Sequence, residues 1–263
     1  MKYILGIDAA WTAQGSSGIA LMHWGESTKP ELIKVARSYE EYFTGHINWQ
    51  KKTTGSLPQM GLILKDVAHL PAVVALDIPL SPLPIRGYRE ADRQITSRYG
   101  RKGAAVHSPT PERPGIIAEL IFRQLTEAGM KWGSREAQPA DGSYFLEVYP
   151  HVTIIEMMRL DYRLPYKSQK RRKYWKDKSS EEQYQLAVRQ LQFLAEGIQE
   201  QINNNIYDYL PKLDTKESYK MHFLKAYEDV LDAIICALSG CFFLQGKAVG
   251  LGDKSSAIWV PVL

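Results

Sequence analysis

Residues 3–11 read Tyr3-Ile4-Leu5-Gly6-Ile7-Asp8-Ala9-Ala10-Trp11. The run is apolar as far as Asp8, and its β-branched and aromatic content predicts a buried central strand that ends in one carboxylate. The same arrangement recurs later in the chain as Val73-Val74-Ala75-Leu76-Asp77-Ile78-Pro79. Two strands that each deliver one aspartate can form a metal site where their ends lie side by side.

The segments between the two aspartates predict how their strands are arranged. Residues 17–24 and 31–39 read as two further strands with short connections, which predicts an antiparallel meander. Residues 57–70 carry apolar side chains at mostly helical spacing, and a proline ends that helix. A helical connection is long enough for the next strand to run parallel to the first. Asp8 and Asp77 are therefore expected at the same end of the sheet.

A third carboxylate near a strand end occurs in residues 143–150, where Glu147 is followed by Pro150 and His151. Glu147 is a candidate ligand or catalytic carboxylate. His151 is a candidate general acid or metal-assisting group, because imidazole titrates near neutral pH. A histidine that only packs in the turn fits the sequence equally well.

The apolar residues 225–238 predict a core helix that carries two more carboxylates. Asp229 and Asp232 are three residues apart and therefore share one helix face. An unpaired carboxylate in such a helix would cost on the order of several kcal/mol. Asp232 therefore requires a metal, another cation or a hydrogen-bond donor, whereas Asp229 also fits a helix edge in water.

Together the carboxylates form a set that suits a hard divalent cation. Oxygen ligands of this kind favour Mg²⁺ or Mn²⁺ over zinc. In a two-metal site, such acids hold ions that activate water and stabilise the leaving oxygen of a phosphodiester. Other chemistries lack their motifs, since the sequence contains neither a Gly-x-Ser-x-Gly elbow nor a Gly-x-x-x-x-Gly-Lys phosphate loop. The set consists of Asp8, Asp77, Glu147, Asp229 and Asp232.

Two basic segments are candidates for contact with an anionic substrate. The first lies at the start of a predicted short helix. Residues 88–99 contain few helix breakers and predict a polar helix, and the spacing of three arginines near it predicts that they share one face. That face fits an anion-binding edge and fits an ordinary solvated helix face equally well. The three are Arg86, Arg89 and Arg93.

The second basic segment, residues 162–178, mixes cations with aromatic side chains, a composition that can neutralise phosphates and stack on bases. A mobile solvated loop is the alternative interpretation. Residues 179–209 then predict a helical hairpin arm or lid with Ser180 as its N-cap. We expect residues 160–222 to form a basic loop and helical insertion within a single domain of residues 1–263. The substrate-binding candidates in the insertion are Lys167, Lys170 and Arg171.

Composition and charge restrict the protein class only broadly. The chain has 263 residues, of which 44% are hydrophobic, and its net charge of +4 permits nucleic-acid binding without requiring it. Cys236 and Cys241 are expected to be reduced core residues. The longest apolar stretch, residues 230–244, contains Asp232 and is too short to cross a bilayer. We therefore expect a cytoplasmic protein without a membrane segment, and the sequence specifies no oligomeric state.

Six short motifs are spread over nearly the whole chain, namely GIDAAW, ALDIPLSP, GYREADR, AAVHSPTP, LEVYPH and LDAIICAL. Together they resemble the domain of unknown function 429 family, described as predicted nucleases of the ribonuclease H-like fold. The resemblance implies a five-stranded mixed α/β sheet flanked by helices, with helical insertions. Its first three strands would be antiparallel, and its fourth and fifth would run parallel to the first. The resemblance also places Asp8, Asp77 and Asp232 at metal-ligand positions.

These features predict a nuclease that depends on Mg²⁺ or Mn²⁺ and hydrolyses phosphodiesters in nucleic acid or a nucleotide. The alternative is a non-catalytic ribonuclease H-like protein that uses the acidic pocket to bind a small ligand or a protein partner. The predicted catalytic residues are Asp8, Asp77, Asp232, Glu147 and His151. The predicted metal ligands are Asp8, Asp77, Asp232 and Asp229.

Overall fold

The computed structural model describes residues 1–26 and 28–263, which form a mixed α/β fold around one sheet of eight strands. The strands are β1 (Lys2–Asp8), β2 (Gly18–Trp24), β3 (Glu31–Ala36), β4 (Val73–Leu76), β5 (Lys131–Trp132), β6 (Tyr144–Val148), β7 (Ala248–Gly252) and β8 (Ala257–Pro261). The α-helices are α1 (Tyr39–Thr44), α2 (Met60–Asp66), α3 (Glu90–Tyr99), α4 (Ile116–Glu127), α5 (Pro150–Met157), α6 (Arg171–Tyr174), α7 (Ser180–Gln199) and α8 (Met221–Leu244). Short 3-10 helices cover Gly100–Lys102, Pro139–Asp141, Ser168–Lys170 and Ile206–Asp208.

The arrangement predicted for the first four strands is confirmed. β1 pairs antiparallel with β2, and β2 pairs antiparallel with β3, so the three form a meander. β4 then lies on the other side of β1 and runs parallel to it. The backbone N–H of Asp77 donates to the carbonyl oxygen of Ile7 at 2.9 Å. This hydrogen bond holds the ends of β1 and β4, and therefore Asp8 and Asp77, side by side.

The sheet is larger than the five strands predicted, because it continues past β6. The strand order is β3-β2-β1-β4-β6-β8-β7, with β5 also pairing with β6. β8 runs parallel to β6, and β7 closes the edge as an antiparallel hairpin with β8. The prediction missed this hairpin because glycines at Gly250 and Gly252 weaken the strand signal of β7. β5 has only two residues, which is too short for a periodic pattern.

Helix α8 lies directly on the middle of the sheet, and almost all of its residues are buried. Its backbone comes so close to β1 and β2 that glycine is required in both strands. A Cβ atom built at Gly6 would lie 2.1 Å from the carbonyl oxygen of Ala233, and one at Gly18 would lie 2.0 Å from that of Asp229. This close packing sets the distance between α8 and the strands β1 and β2.

Strand alternation places both strand-end aspartates on the side of the sheet that α8 covers. Ile4 of β1 and Val73 of β4 pack in the core cluster that contains α8. Their neighbours in each strand pack on the opposite face, in the cluster formed with α2 and α4. Because successive side chains of a strand alternate between faces, Asp8 and Asp77 fall on the α8 side.

Residues 179–209 form the single helix α7 and a short 3-10 helix instead of a hairpin arm. α7 packs against α8 and contributes to the same core cluster. Its N-cap is Ser179 and not the predicted Ser180, since the Ser179 hydroxyl accepts a hydrogen bond from the backbone N–H of Glu182. None of the helices in residues 1–26 and 28–263 combines the length and apolarity that a membrane span requires.

The glycine contacts predict that Gly6→Ala lowers the free energy of unfolding by about 3 kcal/mol, because the added methyl group overlaps the backbone of α8. Urea denaturation followed by circular dichroism measures the change. The control is Gly61→Ala in α2, where a Cβ meets no atom within 4 Å and helix propensity favours alanine by about 1 kcal/mol. Equal stability of the Gly6→Ala variant and the parent would contradict the close packing.

Candidate functional site

Three carboxylates converge where the end of β1 meets α8. Oxygen atoms of Asp8, Asp229 and Asp232 all lie within 4.8 Å of one another. Asp8 is half-buried at the strand end, whereas Asp229 and Asp232 are buried in the helix. Asp229 lies above β2 because its carbonyl oxygen sits over Gly18, which is the residue paired with Asp8. All three belong to the set of carboxylates named from the sequence, and their role as metal ligands stays a prediction.

Asp77 lies beside this group but is not part of it. Within the described residues, the group of three carboxylates whose oxygens all lie within 4.8 Å of one another does not include Asp77. Its charge nevertheless interacts with those of Asp8 and Asp232. Asp77 is thus placed at the edge of the candidate site, and its role as a direct ligand stays a prediction.

Two lysines neutralise part of the charge on α8. The ammonium group of Lys167 pairs with Asp232 and lies 3.3 Å from Oε1 of Glu228. That of Lys225 pairs with Asp229 and also lies 3.3 Å from the same Glu228 oxygen. Lys167 was predicted to contact substrate, but its side chain reaches inward because the buried acids attract it. A cation was one of the partners that the sequence required for Asp232.

Hydrogen bonds from the segment just before α6 orient the same carboxylates. The Tyr166 hydroxyl donates to Oδ1 of Asp232 at 2.6 Å. The backbone N–H and the hydroxyl of Ser168 donate to Oε2 of Glu228 at 2.8 and 3.1 Å. Part of the basic segment therefore forms a wall of the acidic group instead of a mobile solvated loop.

Burial and mutual repulsion raise the pKa values of the carboxylates. Burial, followed by the negative charge of Asp229, raises the pKa of Asp8 to about 7. Burial raises the pKa of Asp232 to about 6, although Lys167 opposes this shift. Burial and the charge of Asp8 raise the pKa of Asp77 well above its usual range. The protein therefore holds these groups where their ionised forms are disfavoured.

The group has more negative than positive charge when all its members are ionised. Among the described residues, the cations paired with the three converging carboxylates, Asp77 and Glu228 are the ammonium groups of Lys167 and Lys225. A divalent cation would relieve the excess. All the available ligand atoms are carboxylate oxygens, which suit Mg²⁺ and Mn²⁺. The residues present therefore fit such an ion.

Glu147 is not one of the three converging carboxylates. In the sheet it is in register with Leu76, whose side chain packs on the face opposite α8. Its carboxylate accepts hydrogen bonds from Nη1 and Nη2 of Arg89 at 2.7 and 2.6 Å, and from the backbone N–H of Leu80 at 2.8 Å. Arg89 also pairs with Asp92. Glu147 and Arg89 therefore form a buried ion pair, which accounts for both side chains without a substrate or metal.

The three arginines predicted to share a helix face do not do so. α3 begins at Glu90, with Arg89 as its N-cap, and the preceding Gly87 has a φ of +158°. Arg86 is an exposed residue of the loop before the helix. Arg93 lies on the surface and pairs with Glu90. The prediction began the helix two residues too early, at a position that the glycine keeps irregular.

Two cavities flank the carboxylates. A cleft of about 990 Å³ is lined by Asp8 and Asp229, by Trp11 and by several cations. A smaller cavity of about 190 Å³ is lined by Asp77 and His151. The cations of the larger cleft are Lys52, Arg113, Lys170 and Lys225. Three residues line both spaces, namely Trp11, His107 and Lys170.

Of the remaining predicted residues, Lys170 lines both cavities. Arg171 instead donates from Nη1 to the carbonyl oxygen of Ser168 at 3.3 Å. His151 is buried against the rings of Tyr149 and Tyr166. Burial, and then the nearby lysine and arginine charges, lower the pKa of His151 well below its usual range. A neutral imidazole suits a hydrogen-bonding role better than that of a general acid at neutral pH.

Sequence reasoning missed Glu228, Lys225 and Tyr166. The first two had a local signal, because Lys225 precedes Glu228 and Asp229 by three and four positions, a spacing that brings helical side chains together. Tyr166 had none, because its hydrogen bond to Asp232 joins residues 66 positions apart.

The comparison with protein families bears out the resemblance seen in the motifs. The family model described as "Protein of unknown function (DUF429)" matches residues 44–256. The chain belongs to the DUF429 family. Within this DUF429 protein, Asp77, Asp229 and Asp232 lie in the matched region, and Asp8 precedes it. No curated protein and no solved structure matches the chain significantly.

The raised pKa of Asp8 predicts a pH-dependent effect of Asp8→Asn in metal-free buffer. Between the usual value of 3.8 and about 7, the folded parent holds a proton that the unfolded chain has lost, so its stability falls as pH rises. The asparagine variant lacks this cost. We expect it to be more stable than the parent at pH 8, by up to about 4 kcal/mol, and the difference to shrink towards pH 5.

Thermal and urea unfolding in the presence of EDTA measure this difference. The control is Asp66→Asn, since the carboxylate of Asp66 is partly exposed and pairs with Lys34 on the surface. A gain for Asp8→Asn that is equal at pH 5 and pH 8, or absent at both, would contradict the electrostatic description.

Proposed function

We propose that this DUF429 protein is a divalent-metal-dependent nuclease of ribonuclease H-like architecture. The observation that carries the proposal is the convergence of Asp8, Asp229 and Asp232 within 4.8 Å, with Asp8 and Asp229 at the wall of a cation-lined cleft. The architecture is supported by the antiparallel meander of β1, β2 and β3, by the parallel strands β4 and β6, and by the carboxylates that α8 adds at the end of β1.

The cleft supports a phosphodiester as the substrate class. Its volume of about 990 Å³ accommodates more than a single small group. Lys52, Arg113 and Lys170 surround the acidic centre with positive charge, which phosphates of a strand can neutralise. Trp11 offers an aromatic ring for a base, and the guanidinium of Arg113 lies 5.9 Å from its centroid. The surrounding cations would bind the phosphates of a polyanion, and the acidic centre would hold the metal at which one phosphodiester reacts.

Asp8, Asp229 and Asp232 would hold Mg²⁺ or Mn²⁺, with Asp77 next to them. When bound, such an ion lowers the pKa of water and stabilises negative charge on phosphate oxygens. The hydrogen bond from Tyr166 orients the Asp232 carboxylate, leaving its other oxygen to the ion pair with Lys167. These buried contacts fix the side-chain conformations of the carboxylates when the protein folds. The carboxylates are therefore already positioned when a cation binds.

The lysine pairs favour one rival function. Lys167 and Lys225 already neutralise Asp232 and Asp229. In the rival description, these pairs are permanent structural contacts, and the protein binds a small ligand or a partner without hydrolysis. The two descriptions differ in what happens when a divalent cation is added.

Activity assays test the proposal directly. The parent, with Mg²⁺ or Mn²⁺, is expected to cleave at least one of single-stranded, duplex, hybrid and branched nucleic acids. Asp8→Asn and Asp232→Asn should each lower the rate by about 100-fold or more, because each removes a charged oxygen ligand. Asp66→Asn, at the surface, should leave the rate unchanged. An inactive parent, or full activity of Asp8→Asn, would rule the proposed reaction out.

Metal-induced stabilisation separates the proposal from its rival. A ligand that binds only the folded state raises the melting temperature. We expect Mn²⁺ to stabilise the parent, and Lys225→Gln to bind Mn²⁺ about tenfold more tightly, a difference of about 1.4 kcal/mol. The reason is that the variant removes a positive charge that competes for Asp229.

The matched control is Lys34→Gln, which breaks a surface ion pair with Asp66. It should not alter the affinity for Mn²⁺. If millimolar Mn²⁺ leaves the melting temperatures of the parent and Lys225→Gln unchanged, the metal site is refuted and the lysine pairs are permanent structural contacts.

A further inference from the structure

The smaller cavity lies between the ends of β4 and β6 and the segment that precedes α6. Its volume is about 190 Å³. This is below the range of whole-ligand pockets, which begins at about 300 Å³. The cavity therefore has room for one compact group and not for a complete nucleotide.

Positive charge in the cavity exceeds what the nearby acids neutralise. Arg163, Lys167 and Lys170 all line it. Lys167 is paired with Asp232 and Glu228. In the part of the chain that the structure describes, no carboxylate oxygen lies within 4.0 Å of a side-chain nitrogen of Arg163 or Lys170. Arg163 instead donates from Nη2 to the Tyr174 hydroxyl at 3.2 Å.

The pKa of Lys170 reflects the same imbalance. Burial lowers it first, and the positive charges of Arg163 and Lys167 lower it further. An anion between these side chains would favour the charged form of Lys170 and so oppose both shifts.

A buried imidazole of the lining has one ring nitrogen without a protein partner among the described residues. His151 is only 6% exposed, and its Nδ1 is buried without a hydrogen-bond partner among the described residues. An unsatisfied buried polar atom costs about 1–3 kcal/mol. Because burial and the neighbouring cations keep His151 neutral, one of its ring nitrogens carries a hydrogen that can be donated to an anion oxygen.

The carboxylates of the lining do not cancel this positive charge. Glu147 and Asp92 are both bound by Arg89. Asp77 is the remaining acid, and its single charge is smaller than the combined charge of Arg163 and Lys170.

We propose that the cavity is a subsite for a phosphate monoester, bound by Arg163, Lys170 and His151. A tetrahedral dianion matches the small volume, the unpaired cations and the unsatisfied imidazole. Trp11, His107 and Lys170 line both this cavity and the larger cleft. A strand that occupies the cleft can therefore place a terminal phosphate in the cavity. Phosphate binding stands on the cavity alone, whereas the strand end as its source rests on the proposed nuclease function.

The first experiment measures binding of inorganic phosphate in EDTA by calorimetry and by ³¹P NMR. The parent should bind it saturably, and Arg163→Gln and Lys170→Gln should each weaken binding by at least about tenfold. The controls are Lys65→Gln and Arg123→Gln, exposed cations of α2 and α4 that do not line the cavity. Lys170 is exposed on its helix, so its variant tests the subsite even if Arg163→Gln does not fold.

The second experiment compares oligonucleotides that carry a 5′-phosphate, a 3′-phosphate or only hydroxyl ends. At least tenfold tighter binding of one phosphorylated end identifies a strand terminus as the source. Phosphate binding without any preference among the oligonucleotides identifies a free phosphate or mononucleotide. Absence of saturable phosphate binding by the parent, or equal affinity of the parent and Lys170→Gln, overturns the proposal.

Phosphate binding and cleavage by the parent together separate the two proposals. Phosphate binding by a parent that cleaves no substrate would refute the nuclease and leave the subsite. Metal-dependent cleavage without phosphate binding would do the reverse.

Discussion

Contact between the backbone of α8 and the glycines of β1 and β2 is the constraint on which the site depends. A methyl group at Gly6 or Gly18 would overlap carbonyl oxygens of the helix. With only hydrogen at these positions, α8 comes close enough for Asp229 and Asp232 to meet Asp8. A helix held higher by ordinary side chains would pack just as apolar a core, but its carboxylates would stay separate from the strand end.

The same packing creates an electrostatic problem that the fold solves only in part. Acids brought together under a buried helix repel one another, and their pKa values rise to about 7 for Asp8 and about 6 for Asp232. Lys167 and Lys225 lower the repulsion without removing the excess negative charge. The cost of assembling the group and its proposed affinity for a divalent cation therefore have one origin. The raised pKa values lower the stability of the metal-free protein at neutral pH, and the proposed cation would offset this loss.

Charged residues that look alike in the sequence have different roles in the structure. Asp77 and Glu147 both come near the end of an apolar run, yet alternation along the strands puts them on opposite faces of the sheet. Glu147 then meets Arg89, and the two form an internal ion pair. Lys167 and Lys170 are three residues apart, but only Lys167 reaches the buried acids, while Lys170 lines both cavities. Local patterns identify such residues as candidates and cannot distinguish their partners.

The sequence alone determined the meander, the parallel position of β4 and the burial of Asp232 in α8, because strand and helix periodicity and turn residues act over short distances. The six short motifs also identified the family from the sequence alone. Only the tertiary structure shows that the sheet has eight strands and that lysines pair with the buried acids. It also shows that Asp229, on the helix, belongs to the carboxylate group that contains Asp8. These features depend on register and on contacts between residues far apart in the chain, such as Tyr166 and Asp232. A local sequence pattern does not specify the distance between a helix and a sheet. Here that distance is set by the close packing of α8 on Gly6 and Gly18.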